Sequence, residues 1–339
     1  MTTTPDGSFI TMAHGNGGRL MRELIEQVFA PALGNPDLDT NADAVRLPDL
    51  SGDGEWLITT DGFTVDPLEF PGGNIGSLAI HGTVNDLAVS GATPCYVTLN
   101  AFIEEGLSLS TLERLARGIG EASRESGVRI VAGDTKVVGR GQGGGLYLAT
   151  TGVGLRPHGL QLGLDRIRAG DRILVSGPVG DHGTAVLLAR EQFGLSGDLR
   201  SDATSVLPVA QALIKGPGLR FMRDPTRGGI ATVAHEIART TGHTVRLRAA
   251  RIPVRPPVRA VCDMLGYDPC YLACEGRVAA VVSPEAATAA LAALRSLGHR
   301  HAAIIGEIAA GRPSVVLETP LGGERILEEL EDDPLPRIC

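Results

Sequence analysis

Two blocks of alternating extended and helical runs, set apart by a glycine- and proline-bearing stretch, constrain this chain most. The first block reads WLITT (56–60) as a strand, the apolar run 75–91 as a helix, YVTLNAFI (96–103) as a strand and 110–126 as a helix, with VRIVAG (128–133) and LYLATTGV (146–153) as further strands. Residues 154–170, with Pro157 and four glycines, read as a linker or crossover. The second block opens with the strand RILVSG (172–177) and a helix from about Asp181. Helical patterns follow near 204–215, 229–241, 255–265 and 284–297, with strands near 244–248, 277–283, 301–309 and 314–318. Strands that alternate with helical runs of this length pack as α/β or α+β layers. The chain thus divides into a Gly-rich N-terminal segment with a helix (1–43), a first domain (44–155), a second domain (165–320) and a tail (321–339).

Composition narrows the function classes. The formal net charge is −8, against the basic face that nucleic-acid binding requires. It leaves nucleotides open, because Mg²⁺ held by carboxylates neutralises phosphates. No apolar stretch approaches the roughly 20 residues of a membrane helix. The start MTTTPDGSFI lacks the basic and apolar regions of a secretion signal, so a cytoplasmic location is expected. The five cysteines are an odd number, which argues against a disulfide framework. Cys262, Cys270 and Cys274 read as small buried hydrophobes, with metal binding left open because the spacing is not CxxC. Lysine occurs only at Lys136 and Lys215 among 31 basic residues, which singles both out where Arg would otherwise stand.

Several residues carry candidate chemistry. Asp61 (TTDG) and Asp134 (AGDTK) each follow a predicted strand, where α/β folds place ligand sites. Taken singly both also read as turn or cap residues. Asp86 (VNDLA) lies in an apolar helical run, where a charge needs a partner. Three carboxylates brought together would want a hard cation such as Mg²⁺. The glycines of AHGNGGR (13–19), PGG (71–73) and GRGQGGG (139–145) could admit phosphates to backbone N–H groups or serve plain turns. RDPTRGG (223–229) sets Asp224 and Arg227 before a helix, an anion site or a loop. Glu275, in CEGR, precedes a strand and by itself reads as a surface glutamate. The tail EDDPLPRIC (331–339) holds Pro334 and Pro336, which forbid a regular helix and favour an extended arm. Six extended residues of such an arm span roughly 20 Å. Cys339 is then a terminal thiol on that arm, with nothing nearby to lower its pKa.

Taken in order, HGNGG, TTDGFTVDPLEFPGGNIG, GTVNDLAVSGATP, AGDTKVV, SGPVGDHG, RDPTRGG, CEG and LPRIC resemble the HypE family of hydrogenase maturation proteins over nearly the whole chain. That family is itself similar to aminoimidazole ribonucleotide synthetase, selenophosphate synthetase and thiamine-monophosphate kinase. The resemblance implies a two-domain PurM-like architecture, a homodimer paired through its N-terminal sheets, and an ATP site near that interface. It implies a carbamoyl group placed on Cys339 by the carbamoyltransferase HypF. ATP-dependent dehydration to a thiocyanate follows, and the cyano group passes to a HypC–HypD complex for the iron of a [NiFe]-hydrogenase. On this resemblance Asp61, Asp86 and Asp134 would hold Mg²⁺. Gly15, Gly17, Gly18, Asn85, Asp86, Thr135, Asp224 and Arg227 would bind ATP, Glu275 would be the base, and Lys136 would stabilise developing charge.

Two other readings have discriminators. A selenophosphate synthetase would be expected to carry Cys or selenocysteine in the N-terminal Gly-rich loop, where this chain has HGNGG and no cysteine before Cys95. An inert carrier that only presents Cys339 would bind no nucleotide.

Overall fold

The computed structural model describes residues 18–24, 26, 45–46, 54–190 and 198–331. Gly15, Gly17 and Cys339 lie outside the described residues. In the first block a short helix α1 (Arg19–Leu24) precedes the strands β1 (Val45–Arg46), β2 (Glu55–Phe63), β3 (Glu69–Phe70) and β4 (Gly73–Asn74). Helix α2 (Ile75–Val89), strand β5 (Thr93–Glu104), helix α3 (Leu109–Ser126) and strands β6 (Arg129–Val138) and β7 (Leu146–Arg156) complete it. Its main sheet has the order β1-β2-β7-β5-β6. Only β5 and β6 run parallel, joined by the crossover helix α3, as a parallel pair requires.

Helix α2 explains the position of the site. Asn74 caps it through a reciprocal pair, its side chain accepting from the Ser77 N–H while Ser77 Oγ accepts from its own. The sequence is mostly apolar, and every residue is buried except Ser77 and Asp86, which are half-buried, as expected of a helix enclosed on all sides. It packs on β2, β7 and α3. The Thr83 hydroxyl of this helix meets that of Thr150 on β7 at 2.5 Å.

The second block holds β8 (Arg172–Val175), α4 (Asp181–Ala189), α5 (Leu207–Lys215), β9 (Leu219–Arg223), α6 (Gly229–Thr241), β10 (Thr244–Arg248) and α7 (Pro256–Leu265). It continues through β11 (Ala279–Val282), α8 (Ala287–Ser296), β12 (Ala303–Ala309), β13 (Ser314–Glu318) and β14 (Glu324–Ile326). The sheet order is β14-β13-β10-β12-β8-β11-β9. One apolar cluster joins Phe63, Phe70, Ile75 and Leu78 of the first block to Ala185, Val186, Val258 and Leu272 of the second. The two blocks thus share a core. Among the described residues no helix is long and apolar enough to cross a membrane.

Three expectations change. Asp61 and Asp134 do not follow their strands: β2 runs on to Phe63 and β6 to Val138, so both aspartates, with Thr135 and Lys136, lie inside strands. Strand β9 has no counterpart in the sequence reading. The segment read as the start of a tail is anchored. β14 pairs with β13, the Leu327 N–H bonds the Val315 carbonyl, and Tyr271 Oη donates to the Glu328 carbonyl at 2.7 Å. Arg22 pairs with Glu329 at 2.5 Å, and Arg19 with Glu331 at 3.0 Å. Backbone pairing and these ions hold the chain as far as Glu331.

Candidate active site

A cleft between the blocks is lined by Asp61, Gly62, Phe63, Gly82 and Asp86 from the first and by Asp224, Thr226, Arg227 and Glu275 from the second. It encloses about 350 Å³, including the part open to solvent. Side chains alternate along β2, so Thr59, Asp61 and Phe63 share the face that α2 covers. Gly82 stands opposite them: a Cβ there would come within 3.0 Å of the Phe63 ring. Asp86, on the same helix, accepts a 2.7 Å hydrogen bond from Thr59. Asp61 accepts from the Gly62 N–H at 2.7 Å and stands 3.7 Å from Arg227. Arg227 reaches it from the turn before α6, where Gly228 and Gly229 take left-handed φ values of 68° and 58°.

The electrostatics of the cleft are lopsided. Four carboxylates face one guanidinium among the lining residues. Burial raises the Asp61 carboxyl against the lowering effect of Arg227 and the Gly62 N–H. Burial, then the charges of Asp224 and Asp61, push Asp86 well above the usual carboxylate range. Burial pushes Asp224 up to about 6, although Arg223 opposes it. Glu275 is raised well above its ordinary value by burial first and by Asp224 and Asp202 next. Such crowding is costly without a counter-cation. Among the described residues no three His, Cys, Asp or Glu side chains are placed to hold a metal ion by themselves. A hard cation here would have to complete its oxygen shell from phosphate and water, as Mg²⁺ habitually does.

The structure redistributes the sequence candidates. Asp61, Asp86, Asp224, Arg227 and Glu275 come together. Asp134 does not join them. It sits on β6 in register with Asn100, which faces Ala149 and then Gly62 across the sheet. Asp61 belongs to the neighbouring row, opposite Thr150. One residue of offset turns a side chain to the other face of a sheet, and three strand spacings separate β2 from β6 by about 14 Å. Asp134 is exposed there and pairs with Lys136 at 3.0 Å. Thr135 lies between them, in register with Ala101.

Asn85 is turned into the fold. It is fully buried, its amide donating to the carbonyls of Thr204 and Glu275 and its oxygen accepting from the Val206 N–H. Gly18 is buried against the anchored C-terminal segment, where a Cβ would stand 2.5 Å from the Leu330 carbonyl oxygen. GRGQGGG is a hairpin tip gathered by Glu104, which accepts from the Gly141 and Gly145 N–H groups. Burial holds the Cys270 and Cys274 thiols well above their ordinary pKa and Cys262 up to about 11, the opposite of what a thiolate ligand needs. Thr59, Gly82 and Thr226 were missed by sequence reasoning. The two-residue spacing of Thr59 and Asp61 on one strand was the available signal.

The fold and the cleft define a class: residues 40–156 match the N-terminal domain of AIR synthase related proteins and residues 168–318 their C-terminal domain. The carbamoyl dehydratase HypE of Azotobacter vinelandii is 46% identical over 97% of this chain and 97% of its own length. A crystal structure of hydrogenase maturation protein HypE in complex with ATP superposes with a TM-score of 0.81 at 43% identity, covering 98% of this chain and all of that one. A chain of a crystal structure of a HypE–HypF complex gives 0.84 at 38% identity over 91% of this chain and 99% of its own. The chain belongs to the HypE family of carbamoyl dehydratases.

Proposed function

We infer that this protein is an ATP-dependent carbamoyl dehydratase that converts an S-carbamoyl group on Cys339 to a thiocyanate, supplying the cyano ligand for a [NiFe]-hydrogenase iron centre. The observation that carries this reading is the cleft in which four carboxylates from both blocks crowd around Arg227. An amide oxygen is a poor leaving group. Transfer of the ATP γ-phosphoryl to it makes a good one, and the barrier falls mainly through positioning and charge neutralisation. Removal of the two N–H protons then lets the C–O bond break, so the oxygen departs with phosphate and the carbon keeps nitrogen as a nitrile.

Asp61 and Asp86 would hold Mg²⁺ together with phosphate oxygens, with Asp224 beside them. The cation would supply the charge that the carboxylate cluster lacks. Arg227 faces the phosphates. Glu275 takes the amide proton, since burial gives it the proton affinity a base needs. The residues 332–339 beyond the anchored Glu331 reach at most about 28 Å when extended.

Lys136 and Asp134 need a partner to act. Strand β6 is an edge strand, and Val131, Val137, Phe102 and Tyr147 on β5–β7 are exposed. An apolar edge of this kind is a template for pairing. We propose a homodimer through this face, with Asp134, Thr135 and Lys136 serving the site of the second copy. HypF, seen with HypE in a relative's complex, would charge Cys339, and a HypC–HypD complex would receive the cyano group, in the cytoplasm.

The test is intact-mass analysis. The carbamoylated protein given Mg-ATP should lose the mass of one water, confined to the peptide that carries Cys339. An unchanged mass, with ATP bound, overturns the reading.

A further inference from the structure

Glu275 lies in an irregular loop between Tyr271 and β11, yet it is only 3% exposed and points into the cleft. What fixes it is not a strand ladder. Its N–H donates to Oδ1 of Asp202 at 3.2 Å, and the next N–H, of Gly276, donates to Oδ2 at 3.3 Å. Its carbonyl accepts from Asn85 Nδ2 at 3.1 Å. The peptide on either side of one cleft residue is thus gripped by two side chains, one from each block.

The Asp202 carboxylate is itself built in. Its side chain is 1% exposed, and Arg277 Nε stands 3.4 Å from Oδ2. Arg277 also donates to Asp181 and to the Pro178 carbonyl, and Arg255 closes the chain of charges at 3.0 Å from Asp181. Gly276 is required by the same contact. A Cβ there would stand 1.8 Å from the Asp202 carbonyl oxygen, closer than any side chain permits. Asn85 is the neighbour of Asp86 on α2, so the helix that carries one cleft carboxylate also sets the distance to another.

We propose that Asp202 is a positioning residue for the dehydration step, holding the Glu275 carboxylate in place by binding the peptide N–H groups on both sides of its Cα–C bond. The proposal rests on Glu275 acting as the base. Displacing a reacting group by about 1 Å costs on the order of a hundredfold in rate. Asp202→Ala should therefore lower kcat for dehydration by roughly a hundredfold while the affinity for Mg-ATP stays within about a factor of two. Asp202→Asn keeps an acceptor for the Glu275 N–H and should recover roughly tenfold of that loss, a rescue a packing defect would not give.

The experiment is single-turnover dehydration of the carbamoylated full chain, with Mg-ATP binding measured alongside. A wild-type kcat in Asp202→Ala overturns the proposal, and so does a loss of ATP affinity as large as the loss of kcat. Should the alanine variant fail to fold, Asp202→Glu displaces both acceptor oxygens, and an unchanged kcat in that variant overturns the proposal equally. Glu275→Gln separates the two readings. If that variant dehydrates at the wild-type rate, the role of Glu275 falls. If it is inactive while Asp202→Ala is fully active, only the positioning role falls.

Discussion

The two faces of the N-terminal sheet carry aspartates of opposite character. On the covered face Asp61 sits under α2 with Asp86, Asp224 and Glu275 crowded around it, and burial raises their proton affinities. On the other face Asp134 is exposed and already neutralised by Lys136. The sequence contexts are alike, TTDG and AGDTK, each just after an apolar run. What differs is one residue of register and the presence of a helix above the sheet. A carboxylate under cover wants a counter-charge because it cannot be satisfied alone. One in water becomes half of a surface pair that contributes little by itself.

Replacing Asp86 with Asn tests the covered face most severely. Dehydration should fall by roughly a hundredfold or more, the scale of losing one charge-stabilising group, measured by single-turnover mass analysis. Retention of full activity would remove Asp86 from the site.

The exposed face is tested by placing Arg at Phe102, which is 40% exposed and in register with Lys136 on the edge strand. Gel filtration with light scattering should show a dimer becoming a monomer. Mixing inactive Lys136→Ala chains with inactive Glu275→Gln chains should restore part of the activity if Lys136 serves the second copy's cleft. No recovery in the mixed dimer would place Lys136 in its own chain's chemistry or outside it.

The smallest effect separates stability from function. Burial holds the Asp224 pKa near 6 against an ordinary 3.8. An acid whose folded pKa is raised resists ionisation in the fold, so it destabilises above about pH 6, and the penalty fades as pH falls toward 3.8. At 1.36 kcal/mol per pH unit that is roughly 3 kcal/mol at pH 8. Asp224→Asn in nucleotide- and metal-free protein should therefore raise Tm at pH 8 by a few degrees, with the gain gone near pH 4. Asp134→Asn should leave Tm nearly unchanged at both, because an exposed ion pair contributes less than about 1 kcal/mol. Equal shifts in the two variants would erase the contrast between the faces.

Much of this was legible locally. Helix α2 follows from its apolar composition and its Asn74 cap, and a carboxylate at Asp86 inside that run already announced a partner. The ordered motifs pointed to the family. Strand ends were less legible: β2 and β6 each continue past a glycine and an aspartate, residues that usually stop a strand, because pairing with β7 and β5 satisfies their backbone. The surroundings of Asn85 were illegible for a related reason. Its neighbours mark it as part of a nucleotide motif, but its helical angle turns it into the domain interface, away from Asp86. Asp202, in the loop SDATS, carried no signal at all.

The sequence by itself determined most of the longer helices and strands, the division into two blocks and the family, because hydrophobic period, capping and motif spacing are local properties. Only the tertiary structure decided which carboxylates share a cleft. Asp86 and Asp224 are far apart in sequence, and Glu275 enters only when Asn85 and Asp202 grip its peptide. It also decided the fate of Asp134, because strand periodicity fixes that two faces exist but not which of them a helix will cover.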